Sequence, residues 1–453
     1  MRLPLLLFSG LLFLATIGCK KETGGPLVPN EPLPPTPFVL PATQEVVMYE
    51  VNLRAFSQAG NLAGVIARLD DIKRLGVNVI WLMPIHPVGV ERSVGGLGSP
   101  YAVRDYRAVG TEYGSLADLQ LLLREAHARG MGVLLDWVAN HTAWDHAWIT
   151  DHPSWYTRDA NGTILHPPGT NWLDVADLNF GNDSMRQAMI ADMRYWTETV
   201  GVDGFRCDAA DMVPFDFWKQ AIDSLRLGSG NKRLLLLAEG ARTNHYAAGF
   251  DLNFSWDYYS RIKTAFQTGL GTSSLWNAHL LEYNNTPAGK HRLRFITNHD
   301  EYAWDNTPAA LFGSDEAAFA AFALTTAMSR VVLIYSGQEI AWPAKIPFFT
   351  RAPLNWSTKP AYRQRYESWM QMRQLEPLFT QGDVLPASQG PLSAYLRTSA
   401  TDTLLVVVNT RNQTDSLALP TEWQAASGWR KLYGDAEKPA LSAPYGISVW
   451  KRL

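Results

Sequence analysis

From Val46 onward, short apolar runs alternate with stretches of helical spacing, and this alternation constrains the fold more than any other property of the chain. Val46–Val51, Val77–Leu82, Gly132–Val138, Val202–Cys207, Leu234–Ala238, Gly249–Phe254, Leu293–Thr297 and Val331–Tyr335 read as strands. Between them, Leu62–Leu75 carries apolar residues at helical spacing and stops at Gly76. Leu116–Arg129, closed by Gly130, and Asp183–Thr199 read as helices in the same way. Parallel strands need a crossover each time, so the repeats predict a parallel sheet covered by helices. Periodicity alone leaves a (β/α)8 barrel beside a doubly wound open sheet.

Several segments break the pattern. Residues 142–180, between the third strand and its helix, are rich in Trp, His, Asp, Pro and Gly and too long for an ordinary loop, so they read as a small inserted subdomain. Its rings Trp144, Trp148, Trp155, Tyr156 and Trp172 are assigned to the subdomain's own core ahead of any ligand. After about Leu378 strand-like runs follow one another (Leu392–Leu396, Leu404–Val408, Leu417–Leu419, Trp429–Leu432, Ile447–Trp450), predicting an antiparallel β domain over 379–453. The repeats and insertion give a body over 42–378. Seven prolines between Pro26 and Pro41 make residues 20–41 an extended tether. Residues 1–19 have a basic start at Arg2 and an apolar run ending in Thr16-Ile17-Gly18-Cys19, too short to span a membrane well. That ending resembles the bacterial lipoprotein signal, with Thr16 where Leu is usual, and implies lipidation of Cys19, export, and a membrane association through the anchor alone. Simple secretion is the alternative.

The formal charge of -3 gives no electrostatic reason to expect nucleic acid. The only other cysteine, Cys207, is expected to be an inert core residue. His127 reads as structural. Oligomeric state is left open.

Carboxylates recur at strand ends. Asp136, Asp208, Glu239 and Asp300 fall late in, or just after, the third, fourth, fifth and seventh strands. In a barrel that rim is where catalytic groups gather. One such acid is most often a turn or helix cap; four on one rim point to a site. Arg206 and Asp208, two apart, share a strand face, so the guanidinium is expected to lower the Asp208 pKa and keep it ionised.

The quoted residues then fall into an ordered set. Asp136-Trp-Val-Ala-Asn140-His141, Gly204-Phe-Arg206-Cys-Asp208, Ala238-Glu239-Gly240 and Phe295-Ile-Thr-Asn298-His299-Asp300 resemble the four short conserved regions of the α-amylase family of glycoside hydrolases, family 13. Gly76–Ile85, Ser99–Tyr106, Asp177-Leu178-Asn179 and Ser336–Glu339 resemble four further segments of that family. The resemblance spans Val46 to Leu378 and implies the (β/α)8 barrel, with an inserted domain B after the third strand. It also implies a retaining hydrolase of α-1,4 bonds in starch or maltooligosaccharides. Asp208 would be the nucleophile, Glu239 the acid and base, and Asp300 the stabiliser of the distorted sugar. Tyr101, Asp136, His141, Arg206 and His299 would bind substrate or orient the carboxylates.

The departures from the family also carry information. Asp211 and Met212 stand where many relatives place a Lys-His pair, and Ser57–Asn61 replaces an acidic calcium loop. No cofactor is therefore expected, while Asn140 and the acids of the insertion leave calcium possible. Ala209 after the nucleophile favours α-1,4 over α-1,6 linkages by the same resemblance. Within the family, the alternatives are a neopullulanase or maltogenic amylase, an oligo-α-glucosidase or a transglycosylase. Outside enzymes, the alternative is an inactive glucan-binding or transport accessory lipoprotein.

Overall fold

A computed structural model describes residues 38–230, 232–269, 272–387, 392–417, 428–439 and 441–453. The leader with Cys19 and nearly all of the proline-rich segment lie outside the described residues.

In chain order the first strands are β1 Val47–Val51, β2 Val79–Leu82 and β3 Gly132–Trp137. Within the insertion are β4 His141–Ala143 and β5 Val175–Asp177, followed by β6 Gly204–Cys207, β7 Leu235–Ala238, β8 Leu252–Phe254, β9 His291–Arg294 and β10 Val331–Tyr335. β1, β2, β3 and β6 to β10 pair in parallel in that order and close on themselves, β10 lying against β1 with Val332 opposite Val47. Closure excludes the open sheet: the fold is the (β/α)8 barrel. Its strands are buried along their whole length, as expected of parallel strands covered on both faces.

Local chemistry fixes the crossovers. Leu116–Ala128 starts at a reciprocal cap between Ser115 and Asp118. Gly204 opens β6 at φ +146°, and a Cβ there would lie 1.9 Å from the Leu235 carbonyl oxygen on β7. The close approach of these two strands therefore requires glycine.

Three elements differ from the sequence reading. The predicted helix Leu62–Leu75 is two helices, Leu62–Ile66 and Leu69–Arg74. The break falls at Arg68, whose guanidinium lies over the Trp356 ring at 4.6 Å and pairs with Asp71 at 2.5 Å. The helix predicted over Asp183–Thr199 is α-helical to Arg194, widens into a π-helical turn over Tyr195–Val200 and stops at Gly201. β9 begins earlier than predicted and ends at Arg294, because the buried polar residues His291, Arg292 and Arg294 hide the strand from an apolar pattern.

The C-terminal region holds β11 Asp383–Pro386, β12 Leu392–Thr398, β13 Thr403–Asn409, β14 Asp415–Ser416, β15 Trp429–Tyr433, β16 Leu441–Ser442 and β17 Ile447–Arg452. β11, β12, β13, β17 and β15 form an antiparallel sheet in that order, and β14 pairs with β16. A short helix, Leu378–Gln381, precedes them. The predicted run Leu417–Leu419 falls largely outside the described residues. Buried Arg397 on β12 donates to the carbonyls of Ala327, Ser329, Phe379 and Gly382. This latch ties the sheet to the residues entering β10, the end of the barrel away from the strand-end carboxylates.

Candidate active site

Barrel closure brings the four predicted acids together. Asp136 projects from the end of β3, Asp208 and Glu239 follow β6 and β7 directly, and Asp300 follows β9 on the chain segment 295–300. Arg206, wholly buried on β6, is the hub: Nη1 lies 2.7 Å from Asp136 and 2.8 Å from Asp208, and Nη2 forms an ion pair with Glu239 at 2.6 Å. The strand ladder sets these positions, since Asp136 sits opposite Arg206 across β3 and β6. Ala209 adopts a left-handed conformation, φ 41°, that turns its N–H onto Glu239 Oε2 at 2.8 Å.

A second chain of contacts runs from Asp136. Its Oδ2 accepts from Trp81 Nε1 at 3.1 Å and from the Tyr101 hydroxyl at 3.0 Å. The Tyr101 hydroxyl lies 2.8 Å from His299 Nε2, and His299 Nε2 is 3.5 Å from Asp300. The His299 ring also stacks on Tyr101. Tyr101, His141, Asp208, Glu239, His299 and Asp300 all line one cavity of about 520 Å³.

Burial dominates the electrostatics. Desolvation raises Asp208 to about 6 despite the opposing pull of Arg206, and raises Asp136 to about 6 for the same reason. The expectation that the guanidinium would hold Asp208 below its ordinary range is therefore corrected: loss of water outweighs one cation shared among three acids. Desolvation raises Glu239 further, to about 7, with Asp208 and Asp300 adding to the rise. Burial lowers His141 to about 4, so its ring is neutral. For His299 burial also lowers the pKa, but Asp300 and Glu50 together outweigh it and lift the ring to about 9.

Several site features were not foreseen in the sequence. Glu50, inside β1, meets His299 Nδ1; an acid in an otherwise apolar strand was the available signal. Phe348 and Phe349 line the cavity, and Phe348 packs on both Tyr101 and His299. Buried Arg54 holds that wall, donating to the carbonyls of Leu97, Gly98 and Phe348 and pairing with Glu112 at 2.8 Å. Trp172 corrects the core assignment: it is 37% exposed, lines the cavity and meets His141 edge-on at 5.5 Å. Trp148 and Trp155 do pack together, and Tyr156 is buried. His127 binds Asp203 at 2.7 Å, a structural contact, and Cys207 is buried in the core.

Calcium takes roughly six to eight oxygen ligands. Among the described residues no group of three or more His, Cys, Asp or Glu could hold a metal ion. Asp211 is occupied by the Ala241 and Arg242 amides and by the Arg242 and His245 side chains. The Asn140 carbonyl accepts from Leu178. The side chains at these positions do not assemble a calcium site.

The profile of the α-amylase catalytic domain matches residues 48–172. Alpha-amylase 3 of Dictyoglomus thermophilum is 28% identical over 356 residues, covering 70% of this chain and 68% of that protein. The crystal structure of an α-amylase from Lactobacillus plantarum superposes with a TM-score of 0.80 at 29% identity, covering 91% of this chain and all of that one. A maltogenic α-amylase from Thermotoga neapolitana superposes with a TM-score of 0.79 at 28% identity, covering 90% and 99%. The barrel, the ordered motifs and these relatives agree: over most of its length the chain is similar to the α-amylases, which are glycoside hydrolases.

Proposed function

We propose that the protein hydrolyses α-1,4-glucosidic bonds of starch or maltooligosaccharides with retention of configuration. The observation that carries this reading is the pair Asp208 and Glu239 held on one guanidinium, in a cavity that His299 and Asp300 also line. A retaining enzyme places its two carboxyl groups roughly 5–5.5 Å apart, and a shared arginine suits such closeness.

Asp208, the more acidic of the two, attacks the anomeric carbon while Glu239 gives its proton to the departing glycosidic oxygen. The resulting glycosyl–Asp208 ester is then opened by water, whose proton passes to Glu239. Asp300 accepts hydrogen bonds from the sugar hydroxyls as the ring flattens. Neutral His141 and charged His299 bind the same sugar, and the Tyr101 ring supports its apolar face. Arg206 and Asp136 hold the two carboxyl groups in place. No cofactor enters this sequence. Ala209, small and on the cavity wall, supports the α-1,4 preference.

The maltogenic relative brings one second reading, a neopullulanase-like specificity. A product time course on maltoheptaose and on pullulan, with Glu239→Gln as control, decides between them. Mixed short maltooligosaccharides with little attack on pullulan support the α-amylase reading; panose from pullulan moves it to the second; no product from the wild type overturns both. From the leader sequence we also propose export and anchoring through a lipid on Cys19. Incorporation of labelled palmitate that Cys19→Ser abolishes is the expected result, and unlabelled wild-type protein contradicts it.

A further inference from the structure

Five carboxyl groups converge on this site, Glu50, Asp136, Asp208, Glu239 and Asp300, and Arg206 supplies one positive charge among them. Glu50 is the one for which the proposed reaction has no use. It lies on β1, wholly buried, with Oε1 against His299 Nδ1 and within 3.4 Å of the His299 backbone N–H. Its Oε2 has no hydrogen-bond partner among the described residues. A carboxylate so placed is very costly unless a cation faces it.

The hydrogen-bond directions identify that cation. Asp136 receives Trp81 Nε1–H, the Tyr101 hydroxyl and an Arg206 N–H, so it acts as an acceptor throughout. The Tyr101 proton is thereby committed to Asp136, and the Tyr101 oxygen must accept from His299 Nε2–H. Burial raises the Glu50 carboxyl and the facing His299 opposes that rise; an ionised Glu50 takes Nδ1–H, and both ring nitrogens then carry protons. We propose that Glu50 is a positioning residue: from β1 it holds His299 as an imidazolium and so sets the direction of each hydrogen bond along His299, Tyr101 and Asp136.

The groups facing His299 agree with this. Glu50 from β1 and Asp300 from its own segment attract a proton, and Arg206 from β6 opposes it. Trp81 from β2 meets the ring edge-on at 5.7 Å, Tyr101 stacks on it, and Phe348 packs against it at a tilt. Glu50 therefore acts on the sugar only through His299. The imidazolium in turn stands 3.5 Å from Asp300.

This inference concerns the internal order of the site proposed above, so its test has a readout independent of glucan hydrolysis. Histidine-labelled full-length enzyme is titrated by NMR, with His299→Gln to assign the resonance. In the wild type His299 stays doubly protonated to about pH 8 or above. Glu50→Gln, nearly isosteric, lowers the His299 midpoint by at least about one pH unit. Its kcat on maltoheptaose falls about tenfold or more while KM moves much less. Glu50→Asp retains most of the raised midpoint. A merely structural role would lower Tm and leave the titration where it was, and that result overturns the proposal. Should Glu50→Gln fail to fold, the wild type alone decides: a His299 ring already neutral at pH 7 contradicts it. Absence of glucan hydrolysis with the titration as expected would sink the proposed function and leave the role of Glu50 standing.

Discussion

Arg206 and Glu239 meet at 2.6 Å, while the other terminal nitrogen of the same guanidinium lies 2.8 Å from Asp208. The two groups that perform the proposed chemistry thus share one planar cation, wholly buried, with Trp81 beneath it at 4.9 Å. A lysine is a point charge and cannot reproduce this fork. Arg206→Lys should lower kcat/KM by about a hundredfold or more, in the range of lost electrostatic preorganisation. Steady-state kinetics on a maltooligosaccharide check this, and a loss below tenfold contradicts the bridging role.

The pH–rate profile should be a narrow bell. Asp208 must be ionised and Glu239 protonated, and burial sets the pair's apparent pKa values at about 6 and about 7. kcat/KM should rise as pH passes the lower value and fall as it passes the higher. In Glu239→Gln, assayed with an activated aryl maltoside that needs no acid, the alkaline limb should disappear. Its persistence would move that limb to another group.

The same shifts bear on stability. Both folded-state values lie above those of an unfolded chain, so the native state holds protons that the unfolded state releases. Stability is therefore full below about pH 4 as far as these groups are concerned, and is lost as pH rises through about 7. Glu239→Gln should raise Tm by several degrees at pH 8 and by little at pH 4, as calorimetry would show. Equal changes at both pH values would argue against burial as the cause.

Two exposed tryptophans line the cavity. Trp172 comes from the insertion, and Trp304, 59% exposed, packs on Phe348 and Phe349. An exposed indole ring offers an apolar surface on which a glucosyl unit can stack. Trp304→Ala should raise KM for maltoheptaose severalfold while leaving maltotriose nearly unchanged. Equal effects on both substrates would assign Trp304 to the cleavage point instead.

Gly204 tests the barrel itself. Its Cβ would stand 1.9 Å from the Leu235 carbonyl oxygen, with no flexible side chain to give way. Gly204→Ala should cost more than about 3 kcal/mol or prevent folding, which urea denaturation measures.

Much of this molecule was legible in the sequence wherever a residue's neighbours in the chain set its role. The strands β1, β2, β3, β6, β7 and β10 stood out as apolar runs, and the acids at their ends followed from strand geometry. β9 was displaced because His291, Arg292 and Arg294 are buried polar residues whose partners lie on other elements. Glu50, Arg54 and Phe348 escaped for a related reason: each acts across the barrel on residues distant in the chain, and no local pattern announces such a contact. The shift of Asp208 is not legible in the sequence, which shows the neighbouring arginine and not the depth of burial. The exposure of Trp172 is likewise hidden, because composition shows a ring and not the side it faces.

The anomeric form of the first product reports whether Asp208 acts as a nucleophile. Proton NMR during the opening minutes of maltoheptaose hydrolysis separates the two anomers before they equilibrate. The new reducing end is expected to form as the α-anomer, with Asp208→Asn inactive. A β-anomer formed first would mean inversion and would contradict the assignment of Asp208 as nucleophile.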